Sequence, residues 1–156
     1  MRPIRKVNAP ISAIFLLAAL TGCSSSAEKA AESALLAQQY LDQKNYYEAR
    51  KAIAEAITHR DDQSELHILK GRIALGAGKR SDAFLAYKDA LSLESTNPEA
   101  LQAVSQLGLQ TGYLQDAEQA ADTMLSFSPE LPEALVTKGL IAVSYTHLTL
   151  PTILLV

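Results

Sequence analysis

SELHILKGRIALGAGKRSDAFLAYKDALSLESTN, residues Ser64 to Asn97, decides the fold. Its first half carries Leu66, Leu69, Ile73 and Ala74 at helical spacing and stops near Gly78. Its second half, from about Ser81 to Leu93, sets Ala83, Tyr87, Ala90 and Leu91 on one face. The spacing predicts two short helices. Neither can bury its apolar stripe alone, so the unit needs neighbours.

The neighbours follow at a fixed period. Ala49, Ala83 and Ala117 stand 34 residues apart, as do Gly78 and Gly112, and Ala37 and Gly71. The string PEAL occurs at Pro98–Leu101 and again at Pro132–Leu135. A period of this length predicts stacked helix pairs. Small residues fall where two helices cross closely. Gly78 and Gly112 fall where the chain leaves a first helix, in a left-handed conformation that glycine tolerates. Pro98 and Pro132 fall at the first position of a helix, where a missing N–H costs nothing.

This pattern resembles the tetratricopeptide repeat (TPR). The resemblance rests on Ala37, Tyr40, Ala49, Ile53 and Ala56 in a first repeat, residues 30–63. Gly71, Ala74, Ala83, Tyr87 and Ala90 carry it in a second, 64–97. Ser105, Gly108, Ala117, Ala121, Met124 and Pro129 carry it more loosely in a third, 98–131. Pro132 and Gly139 open a partial fourth, 132–142. The resemblance implies an all-α solenoid of stacked antiparallel helix pairs, about three and a half repeats long. It makes Ala37, Ala49, Ala56, Gly71, Ala83, Tyr87, Ala90 and Ala117 the repeat-packing residues.

Composition agrees with helices packed through small side chains. Hydrophobic residues make up 48% of the chain, aromatics only 6%, and there is no Trp. Arg2, Arg5 and Lys6 precede Cys23; without them the chain holds 11 basic and 17 acidic groups, a net −6. That excess of acid argues against nucleic acid as a partner.

Residues 1–22 read as an address. A positive start is followed by the ten-residue apolar run Ile11–Leu20, too short to span a bilayer, as in a secretory signal peptide. Leu20-Thr21-Gly22-Cys23 then resembles the bacterial lipobox. That resemblance implies lipidation of Cys23, the only cysteine, and a membrane anchor contributing about 0.8 kcal/mol per buried methylene. With Ser24 rather than Asp after the cysteine, it implies the outer membrane, with the repeats in the periplasm. Residues 23–29 read as the lipidated cysteine and a short linker, and Glu28–Glu32 as a possible extension of the first helix.

The helical pattern is expected to stop near Ala142. Residues 143–156, VSYTHLTLPTILLV, carry no charge and leave the period. Val143–Thr152 resembles a translated transposon-end sequencing adapter in all ten residues. The expectation is a non-native tail after a truncated fourth repeat, with no role for Tyr145 or His147 and an apolar edge that favours association.

No residue pattern points to catalysis. His59 and His67 lack the His-Glu-x-x-His spacing or cysteine partners of a metal site. Gly76-Ala77-Gly78-Lys79 follows a helix and lacks phosphate-loop spacing. Asp61-Asp62 reads as a junction turn, and Tyr46 and Tyr47 as packing against the preceding helix. No cofactor or metal is expected. The family resemblance instead implies a groove lined by first helices, with Gln38, Asp42, Glu65, Ile68, Arg72, Leu75, Gln102, Gln106 and Gln110 facing it. The family's dicarboxylate clamp uses Lys and Asn where Ala34 and Gln38 stand, so that ligand is not expected. The reading is a membrane-anchored scaffold binding envelope proteins or peptides during polysaccharide export, pilus or outer-membrane assembly. The alternative is the docking arm of a larger envelope enzyme.

Overall fold

The computed structural model describes residues 25–149, with side chains through Thr146. Residues 1–24, with the signal segment and Cys23, the side chain of His147 and residues 150–156 lie outside that description. The described chain is all helix and turn: α1 (Ser26–Asp42), α2 (Tyr46–His59), α3 (Ser64–Gly76), α4 (Arg80–Leu93), α5 (Pro98–Thr111), α6 (Leu114–Phe127) and α7 (Pro132–Thr149). Helices pair as α1–α2, α3–α4 and α5–α6, and each pair stacks on the next.

Local chemistry sets the boundaries. Ser25 and Glu28 form a capping box at the start of α1, each side chain taking the other residue's backbone N–H. The helix therefore begins inside the stretch read as linker. Asn45 and Asn97 cap α2 and α5 by accepting from Glu48 and Ala100 backbone N–H groups, and Pro98 follows at the first helical position. The turns between paired helices pass through positive φ at Lys44 (58°), Gly78 (73°) and Gly112 (85°), again 34 residues apart. Lys44 holds in the first repeat a conformation that glycine takes in the next two, at a steric cost of about 1–2 kcal/mol.

The small residues of the period lie where helices approach closest. Ala37, Ala49, Ala56, Ala83, Ala90 and Ala117 are fully buried. A Cβ built on Gly108 of α5 would lie 2.8 Å from the Ala117 Cβ and 2.9 Å from the Tyr113 carbonyl oxygen. One built on Gly71 would lie 2.7 Å from the buried Tyr87 ring. Larger side chains fill the spaces between pairs. Ile53, Leu66, Leu69 and Ile73 join the first and second repeats. Phe84, Tyr87, Leu101, Val104 and Leu107 join the second and third, with Phe84 stacked on Tyr113 at 4.5 Å.

Two expectations change. Helix α7 continues through Thr149 rather than stopping near Ala142. Residues 143–149 contain neither Gly nor Pro, and the β-branched residues there lower helix propensity by only tenths of a kcal/mol each. Tyr46 packs over Gly76 of the following first helix, and Tyr47 stands 78% exposed rather than packed.

The close crossing and the aromatic bridge carry a measurable cost. Phe84→Ala is expected to destabilise the chain by about 3–5 kcal/mol. Gly108→Ala is expected to cost about 1–3 kcal/mol despite alanine's better helix propensity, because a backbone carbonyl blocks the new methyl. Urea denaturation followed by circular dichroism checks both.

Candidate functional site

The first helices α1, α3, α5 and α7 form one face of the stack. Between α3 and α5 lies a groove of about 470 Å³, lined by Leu75, Arg80, Glu99, Gln102, Ala103, Gln106, Leu107 and Gln110. A second stretch of about 510 Å³ continues between α5 and α7 along Gln106, Leu109, Gln110, Pro132, Glu133, Val136, Thr137 and Leu140. Gln106 and Gln110 line both. Gln102, Gln106 and Gln110 are exposed at four-residue steps on α5, forming a single row of amides.

The structure brings together four of the nine groove residues read from the sequence: Leu75, Gln102, Gln106 and Gln110. Arg72 stands at the same face but is not a free cation. Its guanidinium donates to both carboxylate oxygens of Glu99, Nε to Oε1 at 2.7 Å and the terminal nitrogen to Oε2. Sequence reading missed Glu99, although its place in the first turn after Pro98 was a signal. Arg80 was missed as well; it opens α4 and lines the groove as a cation.

The other residues expected in the groove fall elsewhere. Ile68 is buried in the cluster that joins α3 to α4 and α5, so it is core and not groove. It carries no polar atom and finds an apolar neighbour on the stacking side of α3. Gln38 donates to Asp42 at 2.8 Å along α1, outside the α3–α5 groove. Glu65 is exposed in the first turn of α3, also away from that lining.

Glu99 ties the groove to the core. The buried Tyr87 hydroxyl donates to Glu99 Oε1 at 3.5 Å. The hydrogen bond from Arg72 holds the Glu99 carboxyl below its ordinary value, against the opposing effect of burial. Burial, then the neighbouring Glu99 charge, pushes the Tyr87 phenol up to about 12.

His59 and His67 take different partners. His59 ends α2, where its backbone carbonyl accepts from Ser26 Oγ at 2.7 Å. His67 is buried and donates from Nε2 to the Asp61 carbonyl at 3.1 Å. Its Nδ1 has no hydrogen-bond partner and lies 3.9 Å from the Asp89 carboxylate. Asp61 and Asp62 sit in the turn between repeats, where Arg60 pairs with Asp62 at 2.7 Å. Among the described residues no group of three or more His, Cys, Asp or Glu could hold a metal ion. No described helix is long and apolar enough to cross a membrane.

The Arg72–Glu99 pair gives an acid-side signature. Glu99 ionises at lower pH in the folded chain than in the unfolded one. Its contribution is therefore complete above its ordinary value of 4.5 and is lost as pH falls below it. Both side chains are more than a third exposed, so a double-mutant cycle of Arg72→Ala and Glu99→Ala is expected to give a coupling of at most about 1 kcal/mol. Arg72→Ala should also flatten the stability–pH curve below pH 4.5. Chemical denaturation across that range measures both.

No protein-family model matches the sequence, and no curated protein matches it. Solved structures do. The first TPR of Spaghetti (RPAP3), bound to the HSP90 peptide SRMEEVD, superposes with a TM-score of 0.66 at 17% identity, over 80% of this chain and 99% of that one. The Arabidopsis OM64 TPR domain gives 0.63 at 14% identity, over 76% and 98%. The Yersinia enterocolitica type III secretion chaperone SycD, in complex with a peptide of the translocator YopD, gives 0.58 at 16% identity, over 72% and 89%. At these identities the likeness establishes architecture: the chain has the fold of a TPR domain, a solenoid of antiparallel helix pairs.

Proposed function

We propose that this chain is a binding scaffold that takes an extended segment of another protein along the α3–α5–α7 face. The row Gln102, Gln106 and Gln110 carries the reading. Four helical residues advance about 6.0 Å. Alternate residues of an extended strand advance about 6.6–6.8 Å. The row therefore meets every second peptide unit of a strand lying along α5. Each amide both donates and accepts, so it can satisfy a backbone N–H and C=O whatever the side chain. Leu75 adds an apolar contact and Arg80 a cation for an acidic side chain. The paired Arg72 and Glu99 form a polar wall with no net charge. The peptide-bound TPR neighbours support a peptide as ligand.

The scaffold is placed at the bacterial envelope by its N-terminal sequence. Arg2, Arg5, Lys6, the apolar run Ile11–Leu20 and the Leu20–Cys23 lipobox support export and a lipid on Cys23. Helix α1 begins at Ser26, so the anchor and the repeats are joined through Ser24 and Ser25, by three Cα–Cα steps. They span at most about 10–11 Å, which keeps the groove near the membrane. The partner is then a protein of an envelope export or assembly machine, and the role is binding rather than catalysis.

A display library of unstructured peptides tests the groove. Gln106→Ala is expected to weaken a selected binder about fivefold, from about 1 kcal/mol per hydrogen bond. Binding unchanged by replacing all three glutamines would remove the groove reading. Labelling with a fatty-acid analogue tests the anchor separately. The chain expressed in a Gram-negative host is expected to take the label and enter the membrane fraction, and Cys23→Ala to abolish labelling. An unlabelled parent chain sinks the lipid reading.

A further inference from the structure

A strand that bonds to the amide row through its backbone must stand on α5 by one edge. In an extended strand each residue sends its N–H and C=O along one edge, and the next residue uses the other edge. Side chains leave between the edges, in alternating directions. With one edge down on Gln102, Gln106 and Gln110, the side chains point sideways. Every second residue faces α3, and the residues between face α7. From Gln102 to Gln110 the row runs about 12 Å, against about 13–14 Å for four steps of strand, a difference that flexible glutamine side chains absorb.

The two walls beside the row differ in chemistry. On the α3 side Arg72 is closed against Glu99, while Leu75 and Arg80 stand exposed. No carboxylate pairs with Arg80 among the described residues. On the α7 side stand Leu109, Pro132, Val136 and Leu140, with Glu133 beside them. Val136 is 60% exposed and Leu140 52%. One wall offers a cation. The other offers an apolar surface with a carboxylate next to it.

The period keeps that apolar surface on the groove. Val136 and Leu140 stand 34 residues after Gln102 and Gln106, so they continue the inner face of the stack. The face that a second helix covers is a different one, marked on α5 by Gly108 against Ala117. The apolar wall therefore faces the groove whatever lies on the other side of α7.

Opposed walls of this kind select. An apolar side chain facing α7 covers Val136 and Leu140. A carboxylate facing α7 would lose water against them and meet the like charge of Glu133. Facing α3, the same carboxylate meets Arg80. Turning a strand end for end exchanges the walls its two faces meet, so an alternating segment can always seat its apolar face on α7.

We propose that the groove selects an amphipathic strand segment of another protein, apolar at every second residue and polar between, with an Asp or Glu on the polar face. This selectivity rests on the amide row binding a peptide backbone, as proposed above, and adds a side-chain pattern to it.

Calorimetric titration of the full chain with capped synthetic peptides tests the pattern. SVEVSVEVS alternates. SSVVEEVVS has the same composition, but each of its faces carries a glutamate between two valines, so every seating sets a carboxylate against the α7 wall. The alternating peptide is expected to bind at least about tenfold tighter. SVKVSVKVS is expected to bind about fivefold more weakly than SVEVSVEVS, and Arg80→Glu to reverse that order. Val136→Glu is expected to abolish the preference for alternation. Both positions are exposed, so helicity by circular dichroism should stay constant. Equal binding of the two acidic isomers, still weakened by Gln106→Ala, overturns the pattern and leaves the peptide groove standing. Binding of SVEVSVEVS that ignores the glutamines removes both. If SVEVSVEVS does not bind, the pattern falls, and a glutamine-dependent binder from the display library keeps the groove. An Arg80→Glu chain that retains the parent's charge preference overturns the placing of the polar face on α3.

Discussion

The stack depends on how closely its helices can cross. At α5–α6 the crossing leaves no room for a methyl group on Gly108, and at α3–α4 none on Gly71 without displacing a buried Tyr87. Each crossing is made by small residues that recur every 34 positions. Larger side chains there would push the helices apart and expose the apolar clusters that join one repeat to the next. Bulk is instead placed between repeats, where Phe84 stacks on Tyr113 and Ile53 and Ile73 fill the first junction. Narrow crossings within a pair and filled spaces between pairs are two sides of one geometry.

That geometry also makes the groove. Stacking puts α3 and α5 side by side, and the gap between them is spanned by a single ion pair from Arg72 to Glu99. Glu99 reaches back to Tyr87, the residue that lies over Gly71. The wall of the groove is therefore fixed to the same crossing that holds the second repeat together. A further link between repeats, Glu94, accepts from Ser64 and from Asn97 and joins the start of α3 to the turn before α5. The amide row on α5 rises from this braced surface. Interactions braced in this way lose less side-chain freedom when a ligand arrives.

The errors in the sequence reading have physical causes. Ile68 and Arg72 are four residues apart, and helical spacing alone sets both on the groove side. Ile68 lies far enough round α3 to meet the next pair and is buried, whereas Arg72 reaches an acid 27 positions on. Tyr46 and Tyr47 are neighbours in sequence, yet one covers Gly76 and the other stands in solvent. Adjacent helical residues point about 100° apart, and only the position of the next helix decides which is covered. Lys44 shows the opposite case. The turn keeps the left-handed conformation of the period although the residue there is not glycine, because the helices it joins dictate the path.

The sequence by itself determined the all-α class, the 34-residue period, the helix pairs, and the small residues at the crossings. Each is a local or periodic property, written in residue type and spacing. Tertiary structure alone decided that Arg72 is neutralised by Glu99, that Ile68 is core, that Arg80 joins the groove, and that α7 runs on past Ala142. Those outcomes depend on which residues distant in the chain come within a few ångströms of each other. Spacing along one helix carries no information about the rotation and offset of the helix beside it.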